Sequence, residues 1–310
     1  MRIVLSDKKL DNQRLPSDIE VIRVSLKELE NYSKNPDVVA IAGSRAMAIR
    51  CADMDFPSLK LFQLTSAGFD GVPCQKYAEK GVPVANAGNV YSAPIAETVV
   101  FGILSAAKKL RANINNRRFK ITRGYNLITE LQNKHVLIMG AGNIGTAVAK
   151  RLSGFDMIID GYDPYCSEKP QYRRILRSRE ELAEAIGSYD YIVSTMPDNE
   201  QTRKFIDAGL LSKCKATAVI VNVGRRAVFD EKALYRVLKE KKIGGAVLDM
   251  FEKLPNPITN KFRRLKNVMV LPGVAAISKE VNERLSEHMT NNVLASLSGE
   301  QISNVINGVK

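Results

Sequence analysis

Midway along the chain, the apolar run His135-Val136-Leu137-Ile138-Met139 passes directly into Gly140-Ala141-Gly142-Asn143-Ile144-Gly145 and then into Thr146-Ala147-Val148-Ala149-Lys150-Arg151-Leu152. Few backbones satisfy that order. A short apolar run that stops at glycine reads as a buried strand, and the segment after the third glycine has helical character. Between them the first glycine permits a tight turn, the second lets backbone amides approach a phosphate group, and the third lets helix and strand pack closely. The start of the helix adds unpaired N–H groups and the positive end of its dipole.

This arrangement predicts a Rossmann-type dinucleotide site, with Gly140, Gly142, Asn143, Ile144 and Gly145 around the pyrophosphate. The next strand should end in an acid for the adenosine ribose. Asp163, in Gly161-Tyr162-Asp163-Pro164, lies 18 residues beyond Gly145, and Asp160 is its rival. An acid there favours NAD over NADP, because a 2′-phosphate would meet a like charge and no arginine follows at once.

The flanking patterns agree with an α/β chain. Apolar runs at residues 3–5, 38–42, 59–64 and 82–85 alternate with helical stretches, which predicts parallel strands joined by crossover helices. Residues 92–110 read as a long connecting helix, and residues 108–133 are polar and poorly periodic. Six further runs follow, at residues 135–139, 157–162, 191–195, 218–222, 246–248 and 268–271, and predict a doubly wound sheet. A last helix is expected over residues 279–297, with a tail at 302–309 that returns to the first domain.

With 310 residues, 45% hydrophobic and 25% charged, the chain can bury two ordinary cores. The opening apolar run is too short for a signal-peptide core, and no later stretch approaches the length of a membrane span, so the expectation is a cytoplasmic protein with no membrane partner. Cys51, Cys74, Cys166 and Cys214 fit neither a metal-ligand spacing nor a disulfide framework and read as thiols. The net charge of +13 concentrates in Lys108, Lys109, Arg111, Arg117, Arg118, Lys120 and Arg123, and again in Lys261, Arg263, Arg264 and Lys266. Without any nucleic-acid-binding motif, that surplus reads as a solvated surface or a field that gathers small anions, not as a nucleic-acid site.

Several separate segments carry a family likeness. They are Leu64-Thr65-Ser66-Ala67-Gly68-Phe69-Asp70, Asn86-Ala87-Gly88-Asn89-Val90-Tyr91-Ser92-Ala93-Pro94-Ile95-Ala96-Glu97, the glycine turn with its acid, Val221-Asn222-Val223-Gly224-Arg225, and Leu248-Asp249-Met250-Phe251-Glu252. Nearly the whole chain resembles the D-isomer-specific 2-hydroxyacid dehydrogenases. The resemblance implies a flavodoxin-like α/β substrate domain, residues 1–97 plus 281–310, into which an NAD-binding Rossmann domain, residues 98–280, is inserted. It implies an active site in the cleft, acting on a small anionic carboxylate, and a homodimer formed through the nucleotide domain with residues 92–123 as an arm. The backbone amides of Ala67 and Gly68 would meet the substrate carboxylate, and Arg225 would hold it and polarise the reacting oxygen. Val223 and Gly224 would border the cofactor, and Asp249 would bind the nicotinamide carboxamide. The chemistry of Arg225 agrees, since a guanidinium offers a rigid fork of donors with a permanent charge.

Two catalytic positions of the family depart from its pattern. Leu254 stands where the family has a glutamate, and Gly273 where it has a histidine; the glycine after the arginine is replaced by Arg226. Reduction of a ketone needs a proton at the developing alkoxide, and glycine has none to give. His135 and His288 read as structural, and Glu252 lies two positions early. Tyr91 is the first candidate for a substitute donor, with Lys253 and Lys279 behind it. The expectation is an NAD-dependent oxidoreductase of weakened acid–base machinery, the alternative a non-catalytic NAD-binding sensor or assembly protein. Restoring both residues, Leu254→Glu with Gly273→His, is expected to raise 2-oxo acid reductase activity.

Overall fold

The glycine turn is the hinge of a seven-stranded sheet, and the strands around it follow from where apolar runs fall. The computed structural model describes residues 1–114, 128–249 and 260–309. It divides into two units, Met1–Tyr91 with Ser278–Lys310, and Ser92–Ile277.

In the first unit, β1 (Arg2–Ser6), β2 (Ile19–Arg23), β3 (Val38–Gly43), β4 (Leu61–Leu64) and β5 (Val84–Ala85) form a parallel sheet in the order β2-β1-β3-β4-β5. The four expected runs are present, and β2 is an addition. β2 is an edge strand, half-buried, with exposed Glu20 and Arg23, so it lacks the continuous apolar run of its neighbours. The crossover helices α1 (Arg45–Cys51) and α2 (Cys74–Glu79) cover one face with Met47, Ala48, Cys51 and Tyr77. The long C-terminal helix, here α9 (Lys279–Ser298), packs Val281, Leu285, Met289 and Val293 into the core on Val4, Ala40, Ala42 and Leu61. The tail returns to this sheet, where Ile306 N–H donates to Val84 O (2.8 Å).

The second unit opens with α3 (Ser92–Ala107) and α4 (Leu110–Ile114). Its sheet is parallel throughout, in the order β12-β11-β10-β9-β6-β7-β8. The strands are β6 (His135–Met139), β7 (Ile158–Tyr162), β8 (Arg174–Leu176), β9 (Tyr191–Ser194), β10 (Val219–Asn222), β11 (Gly245–Leu248) and β12 (Val268–Val270). The order reverses at β6, where two crossover paths diverge and leave a crevice at the carboxyl ends of the strands. Six runs were expected, and the seventh strand, β8, is only 3 residues long and set among arginines. Helices α5 (Asn143–Leu152), α6 (Arg179–Ala185), α7 (Ala208–Lys213) and α8 (Glu231–Lys239) complete the layers.

The membrane expectation needs one correction. Residues Gly88–Ala107 have, over 20 residues, the length and mean hydropathy (1.5) of a span. Small and polar residues, among them Ser92, Ala93, Glu97 and Ser105, break the apolar run in the sequence without lowering its average enough. Half of the stretch is buried, and α3 packs on α5, β10 and β11, with Gly102 against Val247, as a core helix does.

Candidate functional site

The cradle is built by backbone. β6 stops at Met139, and α5 begins at Asn143 with Gly142 as a cap that makes no side-chain hydrogen bond. The first-turn amides therefore keep their capacity for an anion. A methyl group on Gly145 would lie 2.0 Å from Gly140 O, so only glycine fits, whereas one on Gly142 would meet nothing within 4 Å. The turn is thus tight underneath and open above, as close approach of a pyrophosphate requires. Asn143 is exposed and Ile144 half-buried beside this opening, while Val148, Ala149 and Leu152 anchor the helix in the core. These residues fit a bound dinucleotide.

Asp163, the acid expected at the adenosine end, lies against the glycine turn. Its carboxylate accepts Ala141 N–H (2.9 Å) from the turn itself, and Tyr165 N–H (2.9 Å) and Cys166 N–H (3.1 Å) from its own loop. Asp160 is fully buried and otherwise occupied. It accepts from Arg173 Nε (2.9 Å) and Nη2 (2.7 Å), Arg174 Nε (3.0 Å) and Tyr189 Oη (2.8 Å). Burial alone would push its carboxyl up, but the hydrogen bonds from Arg173, Tyr189 and Arg174 hold it below the ordinary carboxylate range. Asp160 thus ties β7 to β8 and to Tyr189 just before β9.

Further along the sheet, Asn222 at the end of β10 braces the next turn. Its Oδ1 accepts Gly224 N–H (3.2 Å), its Nδ2 donates to Arg225 O (3.2 Å), and Val223 N–H donates to Ser194 O (3.2 Å). Arg225 leaves this turn half-buried, with Nη1 donating to Gly224 O (3.0 Å). Arg226 pairs with Glu231, which starts α8.

Asp249 has a use that the sequence does not announce. Only 2% exposed, it accepts Val274 N–H (2.9 Å) and Ala275 N–H (3.0 Å), so both oxygens hold the loop after β12. Gly273, immediately before those amides, is exposed with φ +74°. A histidine there would have to enter a left-handed backbone region that disfavours side chains. The simple restoration by Gly273→His therefore meets a backbone obstacle. Glu252, Lys253 and Leu254 lie outside the described residues, as do Arg117, Arg118, Lys120 and Arg123.

In the first unit, Ala67 and Gly68 lie half-buried in the loop after β4. Ala67 O accepts Asn86 Nδ2 (2.8 Å), and Gly68 O accepts Ser66 Oγ (2.7 Å). Tyr91 Oη donates to Thr65 O (2.5 Å), and burial pushes its phenol up. Its proton is engaged in holding this loop. His288 Nε2 contacts Asn86 O (2.9 Å), and His135 begins β6, where its N–H donates to Asp190 (2.9 Å). Lys169, whose Nζ donates to Ala141 O (2.6 Å) and Thr146 Oγ1 (3.1 Å), and Asn86 were missed because those partners are distant in sequence, whereas Asn222, with partners two and three residues away, lay in a family segment with no role assigned to it.

A parallel sheet with an order reversal, a glycine cradle and an acid on the next strand define a dinucleotide-binding α/β protein. The family model for the D-isomer specific 2-hydroxyacid dehydrogenase, NAD binding domain, matches residues 98–275, and the chain belongs to that family. It is 31% identical over 282 residues to a D-3-phosphoglycerate dehydrogenase of Methanocaldococcus jannaschii, covering 91% of this chain and 53% of that protein, about half its length. It is 30% identical over 265 residues to glyoxylate/hydroxypyruvate reductase A of Arabidopsis thaliana (85% and 82% covered). Among solved structures, an NADPH-dependent glyoxylate/hydroxypyruvate reductase of Sinorhizobium meliloti, in complex with citrate, superposes with TM-score 0.81 at 27% identity (99% and 98% covered). A nicotinamide cofactor is supported, and relatives that use NADPH leave the choice between NAD and NADP to the residues of this chain.

Proposed function

We propose that the chain is an NAD(H)-dependent reductase of small 2-oxo acids in which Arg225 orients the substrate carboxylate and water, in place of a histidine, delivers the proton. The observation that carries this reading is the cradle at residues 140–145 with Asp163 on the Ala141 amide, on the same sheet as the braced turn that presents Arg225. The balance is a 2-oxo acid, NADH and one proton giving a 2-hydroxy acid and NAD+. When bound, the nicotinamide supplies the hydride that forms the new C–H bond. Arg225 polarises the carbonyl whose π bond breaks, and the oxygen takes its proton from solvent beside exposed Gly273. Without a positioned acid, turnover is expected to fall by about 10² to 10⁴ relative to a histidine-bearing site.

The amides of Ala67 and Gly68 remain the candidates for carboxylate contacts in the first unit. The engaged hydroxyl of Tyr91 supports an anchoring role for it, with Lys279 as a side-chain donor to be tested. A homodimer through the nucleotide unit is part of the same proposal.

A second reading, a non-catalytic NAD-binding protein, is favoured by Gly273 and by the commitment of both Asp249 oxygens to loop amides. Purified protein mixed with NADH and glyoxylate, hydroxypyruvate or phosphorylated 2-oxo acids separates the two. The reductase oxidises NADH with at least one of them, in a manner lost in Arg225→Ala. Tight NADH binding without oxidation by any acid favours the second reading.

A further inference from the structure

We infer that Asn86, held in place by His288 and the C-terminal tail, is a positioning residue for the loop after β4. It fixes the peptide plane that turns the amide of Gly68, beside that of Ala67, toward a substrate carboxylate. The inference rests on the reading of those two amides as carboxylate contacts and adds what orients them.

In a trans peptide the carbonyl of one residue and the N–H of the next point to opposite sides of the chain. The described peptides are all trans, so whatever holds the carbonyls of Ser66 and Ala67 also aims the amides of Ala67 and Gly68. Ser66 O accepts Ala87 N–H (3.0 Å), and Ala67 O accepts Asn86 Nδ2 (2.8 Å). One residue earlier, Thr65 O accepts from Tyr91 Oη. Three successive carbonyls thus face residues 86–91. The amides of Ala67 and Gly68 face away from that segment and donate to no described residue. Two successive N–H groups without an internal partner suit an anion.

The Gly68 amide is aimed by a side chain, and that side chain has a single arrangement. Asn86 Oδ1 accepts Gly88 N–H (2.9 Å), which leaves Nδ2 to face Ala67 O. The Asn86 carbonyl contacts His288 Nε2 (2.9 Å) on α9, and its N–H donates to Asn304 O (3.1 Å) in the tail. A carbonyl only accepts, so Nε2 of His288 carries a proton. All four polar groups of Asn86 are engaged.

The tail supplies what β5 lacks. That strand is only 2 residues long and lies at the edge of its sheet, too short to direct the segment that follows it. Val305 bridges Ala85 in antiparallel fashion, and the Asn307 side chain accepts Val84 N–H (3.0 Å) and donates to Val82 O (2.8 Å). Asn292 on α9 accepts Ser303 N–H (3.0 Å). The Asn304 side chain also fills the space over Gly88, where a Cβ would lie 2.3 Å from its Nδ2. Asn86 is thus gripped from α9 and from the tail at once.

Amides that hold a carboxylate equally in the ground state and the transition state act on KM and not on kcat. The test uses the full chain, with oxamate, an unreducible analogue of a 2-oxo acid, titrated into the NADH complex by calorimetry. Asn86→Asp keeps the acceptor for Gly88 N–H and sets an oxygen against Ala67 O. It should weaken oxamate binding and raise KM for 2-oxo acids by about tenfold to a hundredfold, the scale of one hydrogen bond to a charged group. In the same variant kcat should stay within about threefold and NADH affinity within about twofold. His288→Leu should weaken oxamate by about threefold to tenfold, and His288→Gln, which retains an N–H donor, by less than about twofold. Unchanged oxamate affinity in an Asn86→Asp protein that binds NADH overturns the inference, as does a fall in kcat with KM unchanged. If Asn86→Asp does not fold, equal oxamate affinities of His288→Leu and His288→Gln overturn it. A wild type that binds NADH but neither binds oxamate nor reduces any 2-oxo acid removes the carboxylate reading itself, which is a distinct failure.

Discussion

The seven-stranded sheet carries two functional edges that have fared differently. Around β6 and β7 recognition is done by backbone: amides at the start of α5, a carbonyl and an amide of Ala141, and the absence of side chains at Gly142 and Gly145. Around β10 to β12 the proposed chemistry would depend on side chains, and there Arg225 is present while residue 273 is a glycine. A cradle of backbone groups tolerates many substitutions nearby, provided the turn keeps its trace. Acid–base chemistry fails with a single residue. On the proposed reading, the contrast is how a member of a dehydrogenase family would keep a complete nucleotide turn beside a weakened proton-transfer site.

The largest effect should come from breaking the backbone edge. Gly145→Val places carbon against Gly140 O, a backbone atom that cannot rotate away, and is expected to cost about 4 kcal/mol of stability and abolish measurable NADH binding. Thermal denaturation and fluorescence titration on the same sample check it. If the variant binds NADH normally, the claim that the turn is sterically fixed is wrong. At the side-chain edge, Arg225→Ala should lower kcat/KM for 2-oxo acids by about 10² to 10³, the scale of losing a charge-stabilising donor, while NADH affinity stays within a factor of about two. Equal losses in both quantities would mean that Arg225 supports the fold and not the substrate.

Asp160 sharpens the comparison, because it is an acid of the nucleotide edge that serves structure. Asp160→Asn should destabilise the nucleotide unit by about 2 kcal/mol, less than for a fully enclosed pair since Arg173 and Arg174 are half-exposed. The sign with pH follows from its lowered folded-state value. Its contribution is complete above the ordinary carboxylate range and is lost as pH falls through the lower folded value. Wild type and variant should therefore differ most near neutrality and converge in acid. A gap that is constant with pH would point to packing in place of charge.

Much of this was legible before any coordinates. The order of strand, glycines and helix at residues 135–152 carries its own geometry, and the runs that form β3, β4, β6, β9 and β10 are continuous because both faces of a parallel sheet are buried. β2 and β8 were hidden for the complementary reason: as edge strands they are short or half-buried and carry Glu20, Arg23 and Arg174. The choice between Asp160 and Asp163 was open in the sequence. The pairing of Asp160 with Arg174 across β7 and β8 favours Asp163 for the proposed ribose contact, and the adjacent arginines at 173 and 174 were the available signal. Lys169 gave no signal, since its contacts exist only after the loop folds back on the turn. At residue 273 the glycine was plain in the sequence, but its positive φ was not.

That last feature decides what repair of the side-chain edge can achieve. Asp249 grips the amides of Val274 and Ala275, so the loop cannot easily rotate to give residue 273 a negative φ. A histidine at φ +74° should cost about 1 kcal/mol and present its ring in a direction set by the left-handed backbone, not by the substrate. Gly273→His, alone or with Leu254→Glu, should therefore gain less than about tenfold in reductase activity, well short of the 10² to 10⁴ that a positioned acid contributes. Stopped-flow NADH oxidation across pH reads this directly. A gain of a hundredfold with a new ionisation near that of imidazole would show that the loop yields, and that the two edges of the sheet differ by side chains alone.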